Sequence, residues 1–106
     1  MSTRPRKPQR GRPRGARSFD PDVAAAFGIA VKEARLAAGI SQEALAYMAN
    51  VERSFFGRIE RGESQPTLFV VLKVAYALGF DGGALVSLVE SELARRAASK
   101  GSARRA

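Results

Sequence analysis

The sequence predicts an all-α fold: a compact bundle of five short helices between two basic, disordered tails. Three observations predict it. Apolar residues in the middle of the chain recur at i, i+3, i+4 and i+7, not in strict alternation. Asp, Ser or Thr precedes most apolar runs, and Gly ends several of them, which is the punctuation of helices. The charge is segregated by position. The net charge is +8 over 106 residues. Residues 1–18 carry seven Arg or Lys and no acid, and residues 95–106 carry five and no acid. Residues 19–94 hold six basic and ten acidic side chains. A mildly acidic domain over 19–94 thus stands between a basic tail over 1–18 and another over 95–106. Tails of this charge seek a polyanion, and nucleic acid is the usual one.

The helices come in order. The first begins near Asp20, which caps, with Pro21 suited to the first turn. Val23, Phe27, Ala30, Val31, Ala34 and Ala38 fall on its apolar face, and Gly39 ends it in a left-handed turn. Ser41 caps the short second helix, "QEALAYM", with Leu45 and Met48 inward. "ANV" has room only for a tight turn. The third helix runs from about Arg53 to Glu60 and stops at Gly62. In "ESQPT", Pro66 forbids helix before it and Thr67 caps the next one. "LFVVLKVAYALG" is a strongly apolar fourth helix. "DGGALVSLVESELARRAA", capped by Asp81, is the fifth. "MSTRPRKPQRGRPRGARS" and "AASKGSARRA" have almost nothing to bury, so both ends are expected to be disordered.

Composition excludes several functions. There is no cysteine and no histidine. The commonest general base, the commonest zinc ligand and any thiolate chemistry go with them. No apolar run nears the roughly 18 residues that span a membrane, and no apolar stretch comes after the charged N-terminus as in a secretory signal. The expectation is a cytoplasmic, nucleoid-associated protein that is not an enzyme and needs no cofactor or metal.

"VERSFFGRIERG" sets a problem. Phe55 and Phe56 point about 100° apart on a helix. Spacing makes Phe56 core, along with Leu45, Met48, Val51 and Ile59. Phe55 must face something else.

The segment "SQEALAYMANVERSFFGRIERG" is a short helix, a turn of about four residues and a second short helix, a helix-turn-helix over about 42–61. Its residues resemble the Cro/lambda-repressor (XRE) family. The family's Ser-Gln, acid and Leu-Ala match Ser41, Gln42, Glu43, Leu45 and Ala46. Its Arg-Ser, Ile and closing Ile-Glu-Arg-Gly match Arg53, Ser54, Phe56 and Ile59 to Gly62. "FGIAVKEARLAAGIS", Pro66 and "LKVAYALG" match the usual flanks. The resemblance covers about residues 25–88.

The resemblance implies a lambda-repressor-like bundle whose third helix enters the DNA major groove. Arg53, Ser54 and Arg58 are then the base-reading candidates, since arginine can bind guanine O6 and N7 through two parallel hydrogen bonds. Phe55 meets a thymine methyl, or else packs against the second helix or the loop after the third. Gln42 and Arg61 contact phosphate. Gly57, which costs about 1 kcal/mol in a helix relative to Ala, allows close approach to the DNA and joins the phosphate set. Glu52 stands where the family has Ser or Thr; it either accepts from a cytosine amino group or caps the helix, and capping is the favoured reading. Arg35 and Glu60 match a structural ion pair that pins the third helix to the first.

In the N-terminal tail, Arg10, Gly11, Arg12 and Pro13 resemble the AT-hook core that lies in narrow A·T-rich minor grooves, with Gln9 where the motif has Pro. A tail that merely neutralises phosphate is the alternative. The function implied is a sequence-specific transcription regulator that binds double-stranded DNA as a homodimer. Its seam would lie on the fifth helix at Leu85, Leu88, Val89 and Leu93. Other readings are an antitoxin-like interaction module and a restriction–modification controller.

Overall fold

The computed structural model describes residues 19–105, with side chains as far as Lys100. The tail carrying Arg10, Gly11, Arg12 and Pro13 lies outside the described residues. The helices are α1 (Pro21–Ala37), α2 (Gln42–Ala49), α3 (Arg53–Glu60), α4 (Leu68–Leu78) and α5 (Gly82–Arg105), with no strand among the described residues.

Local chemistry sets the boundaries. Asp20 accepts from the backbone N–H groups of Asp22 and Val23, Ser41 from Ala44, Thr67 from Val70 and Asp81 from Ala84. Each bond satisfies an N–H that the first helical turn leaves without a partner. At the other ends, Gly39, Gly62 and Gly79 adopt positive φ. Asn50 does the same after α2, at φ 56°.

α1 is the scaffold. It packs on α3, on α4 and most extensively on α5, while α2 packs on α3 and α4. The core gathers Val31, Leu45, Phe56, Ile59, Val74 and Leu85, all fully buried. Gly28 belongs to this packing. A Cβ there would stand 2.5 Å from the Glu60 carbonyl oxygen and 2.7 Å from that of Ile59. Only glycine lets α1 come this close to the end of α3.

Four expectations need correction. Met48 is 51% exposed. The buried face of α2 is Leu45, Ala46 and Ala49, and Met48 lies about 110° round the helix from its centre. Leu85 and Val89 are core residues, and Leu93 packs partly against the same core. α5 spends most of that face on α1, and of the four expected seam residues only Leu88 is exposed. The α1 face also extends beyond the expected stripe, to Ala24, Ala26 and Arg35, because neighbours cover it on several sides. Ala38, in contrast, is exposed beyond its end.

The chain's end differs too. α5 continues to Arg105, through the segment expected to be disordered. Ala94, Ala97, Ala98 and the intervening Arg residues are strong helix formers. Arg96 Nη2 and Lys100 Nζ both donate to Asp22 Oδ1, at 3.2 and 2.7 Å, which ties this segment to the start of α1. These bonds, Lys100 first and Arg96 second, hold the Asp22 carboxyl below its usual range.

Candidate nucleic-acid interface

Three residues, Asn50, Val51 and Glu52, turn α2 into α3. The Val51 N–H donates to the Ala46 carbonyl at 2.9 Å, and Asn50 takes the left-handed conformation that closes the turn. Lys73, from α4, donates to the Asn50 carbonyl at 2.9 Å and braces the turn from outside. Val51 is buried beneath it. Glu52 then caps α3. Its carboxylate accepts the Phe55 N–H at 3.2 Å and the Ser54 hydroxyl at 2.8 Å. The Ser54 hydroxyl and then the Phe55 N–H draw the Glu52 carboxyl below its usual range.

α3 is divided sharply. Phe56 and Ile59 are fully buried, while Arg53, Ser54 and Arg58 face outward. Beneath this face lies a buried charged network. Arg35 Nε donates to Glu60 Oε2 at 2.7 Å, and Arg35 Nη2 to Glu60 Oε1 at 3.0 Å. Arg35 Nη1 reaches the Ile40 carbonyl at 3.0 Å. Gln42 Nε2 completes the set by donating to Glu60 Oε1 at 2.9 Å. The two planar groups meet in parallel, the strongest arrangement for an arginine and a carboxylate. The contact with Glu60 raises the Arg35 guanidinium above its already high range. The network joins α1, α2 and α3 at one point, so the outward face of α3 is held rigidly.

Above it, Gln42, Glu52, Arg53, Ser54, Gly57 and Arg61 line one shallow cleft. Arg53 is held lightly: it stands 3.4 Å from Glu43, with both side chains 69% exposed. Arg61 is held more firmly, donating from Nε and Nη2 to the two Glu63 carboxylate oxygens at 3.0 and 3.2 Å, though also in the open. A single exposed contact such as that of Arg53 contributes little and exchanges readily for a phosphate or a base edge.

The helix-turn-helix domain family model matches residues 26–88. The chain belongs to the helix-turn-helix family of DNA-binding transcription regulators. Among relatives of this helix-turn-helix protein is the uncharacterized HTH-type transcriptional regulator YqaF of Bacillus subtilis. The match is 37% identical over 51 residues, 48% of this chain and 67% of the relative. The restriction-modification controller C.AhdI of Aeromonas hydrophila has a solved structure that aligns at TM-score 0.57 and 39% identity, over 58% of this chain and 94% of that one. The clp gene regulator ClgR of Corynebacterium glutamicum aligns at TM-score 0.73 over 77% and 87% of the two chains. At 24% identity that likeness speaks for the fold alone.

Within this helix-turn-helix, Arg53, Ser54 and Arg58 share the open face of α3, and Gln42 and Arg61 flank it. Two residues sit differently from expectation. Gly57 is buried, and a Cβ there would come within 3.2 Å of Arg61 Nη1 and 3.7 Å of Gln42 Oε1. Its smallness makes room for the Arg61 and Gln42 side chains, and Gly57 forms part of the cleft wall between them. Phe55 is half-buried against the core, closer to the packing alternative than to a free probe of the groove. Its ring carries the Arg58 guanidinium, 5.4 Å from the ring centre. Sequence reasoning missed this stack, although the i, i+3 spacing of Phe55 and Arg58 was the signal for it. It also missed the Gln42 to Glu60 bond, which no spacing announces.

Proposed function

We propose that the protein binds duplex DNA as a homodimer, with α3 in the major groove of each half-site. Arg53, Ser54 and Arg58 contact base edges; Gln42 and Arg61 hold phosphate. Phe55 acts through Arg58, whose guanidinium it supports. The observation that carries this reading is the open face of α3, mounted on the Arg35–Glu60–Gln42 network. A rigid helix that presents a lightly held arginine, here Arg53, is what base recognition requires. In a homodimer the two recognition helices stand about 34 Å apart, one turn of the duplex. The protein then acts in the cytoplasm, on the chromosome. Selection of bound sequences from a random duplex pool tests the reading, and a two-fold symmetric site is the expected result.

The likeness to C.AhdI, 39% identical and nearly complete over that chain, supports a narrower reading as a restriction–modification controller. The same selection tests it, because the enriched site would then lie upstream of a restriction or modification gene.

A further inference from the structure

α4 is apolar on every side. Its sequence, "LFVVLKVAYAL", has one charged residue in eleven. A helix of that composition belongs inside a protein. Yet one face of it is open. Leu68 is 70% exposed, Phe69 67%, Leu72 48% and Tyr76 85%. These four fall within about 100° of arc on the helical wheel, so they form one stripe. The lone charge, Lys73, is already engaged: Nζ donates to the Asn50 carbonyl and lies 4.5 Å from the centre of the Phe69 ring.

We propose that this stripe is the surface on which a second copy of the chain docks. The inference rests on the homodimer reading and replaces the seam expected on α5. Charge argues against DNA as the occupant, since Leu68, Phe69, Leu72 and Tyr76 carry no cation, and Lys73 at their edge is turned to the Asn50 carbonyl and the Phe69 ring. The chain's own basic N-terminal segment has almost no apolar side chain with which to cover it. At eleven residues, α4 is too short to cross a bilayer, which takes about 20.

Area argues for a second copy. Taking about 150–250 Å² per aromatic side chain and rather less for leucine, the stripe exposes roughly 400 Å². A standard interface of about 800 Å² per partner, roughly 65% apolar between identical chains, needs about 500 Å². The stripe alone supplies most of that apolar area.

The stripe is also self-complementary. Leu68 and Tyr76 lie four residues on either side of Leu72. A two-fold axis through Leu72 sets two α4 helices antiparallel and lays Tyr76 of each copy over Leu68 of the other. The same patch then serves both partners, as a two-fold interface requires.

The test is the mass of the full chain in solution without DNA, by sedimentation across micromolar concentrations. The wild-type protein is expected to be a dimer. Tyr76→Glu and Leu68→Lys replace side chains that lie mostly in solvent, so melting monitored by circular dichroism should show each variant folded. Each should weaken dimerisation by about 30-fold or more, the equivalent of losing one hot-spot contact. Combined in one chain, they bring Lys against Glu across the axis twice and should restore much of the dimer.

A wild-type chain that stays monomeric would overturn this face and the homodimer reading together. A dimer indifferent to both substitutions but broken by Leu88→Glu would overturn the face alone and return the seam to α5. Monomeric single variants with no recovery in the double variant would overturn the two-fold axis through Leu72.

Discussion

The Arg58 guanidinium lies 5.4 Å from the centre of the Phe55 ring, one helical turn before it. The ring is itself anchored against the core. The adjacent phenylalanines of α3 therefore divide their work: Phe56 fills the interior, and Phe55 spans from the interior to the open face of α3.

That relationship separates two substitutions of Phe55. Phe55→Ala removes half-buried packing and should cost about 1–2 kcal/mol of fold stability, short of the 3–5 typical of a fully buried phenylalanine. Phe55→Leu keeps most of the packing but loses the ring face, worth about 0.5–1 kcal/mol at an exposed site. Its melting temperature should stay near that of the wild type while base preference at the Arg58 position relaxes a few-fold. Unchanged preference in the leucine variant, measured by competition between duplexes, would show that the ring does not hold Arg58.

The Arg35–Glu60 pair should be strongly coupled. Arg35→Ala leaves a buried carboxylate with only Gln42 for a partner, and the loss should be about 3–5 kcal/mol. Arg35→Met together with Glu60→Leu should recover most of it, since apolar packing can replace a buried ion pair. Urea unfolding of the two single variants and the double variant checks this. Simple additivity would contradict the bidentate contact.

Gly28→Ala should be among the most destabilising single-methyl changes in the protein. The added Cβ meets two backbone carbonyls of α3, which have no side-chain freedom to yield. Forced overpacking of this kind costs about 1–3 kcal/mol. Because the strain falls at the end of α3, DNA binding should weaken in any molecules that remain folded. A variant as stable as the wild type would mean that α1 and α3 are free to separate.

Much of this was legible in the sequence, and the divide has a physical basis. Helix caps are local: Asp20, Ser41, Glu52, Thr67 and Asp81 each bond within three residues, so the chain announces them. Which face a helix buries depends on its neighbours, and there the reading slipped. Met48 and Leu85 are both apolar at helical spacing, yet α2 turns Met48 outward and α5 turns Leu85 into the core. Arg35 and Glu60 are 25 residues apart, and only resemblance to a family suggested that they meet. Continuation of α5 past Ala98 was missed because Gly101, Ser102 and the run of basic charge read as a tail.

The N-terminal segment should act through charge. Removing residues 1–17 deletes seven positive charges. If four of them neutralise phosphates, the slope of log K against log salt should shallow by about 3.6. A hook-like role for Arg10, Gly11, Arg12 and Pro13 adds a preference for A·T pairs beside the half-sites, and Arg12→Ala should abolish it. An electrostatic tail gives no flank preference and is indifferent to which arginine is lost. An unchanged salt slope after truncation would dismiss both roles.

Base preference measured on α3 variants tests the central claim most directly. Random duplex DNA is selected with the wild-type protein, and the selection is repeated with Arg53→Ala and Arg58→Ala. The wild type should enrich a two-fold symmetric site. Each variant should lose about 1–3 kcal/mol on that site and relax the choice of base at one position per half-site. If the variants weaken every sequence equally, or if the wild type enriches no sequence at all, α3 does not read DNA in the way proposed.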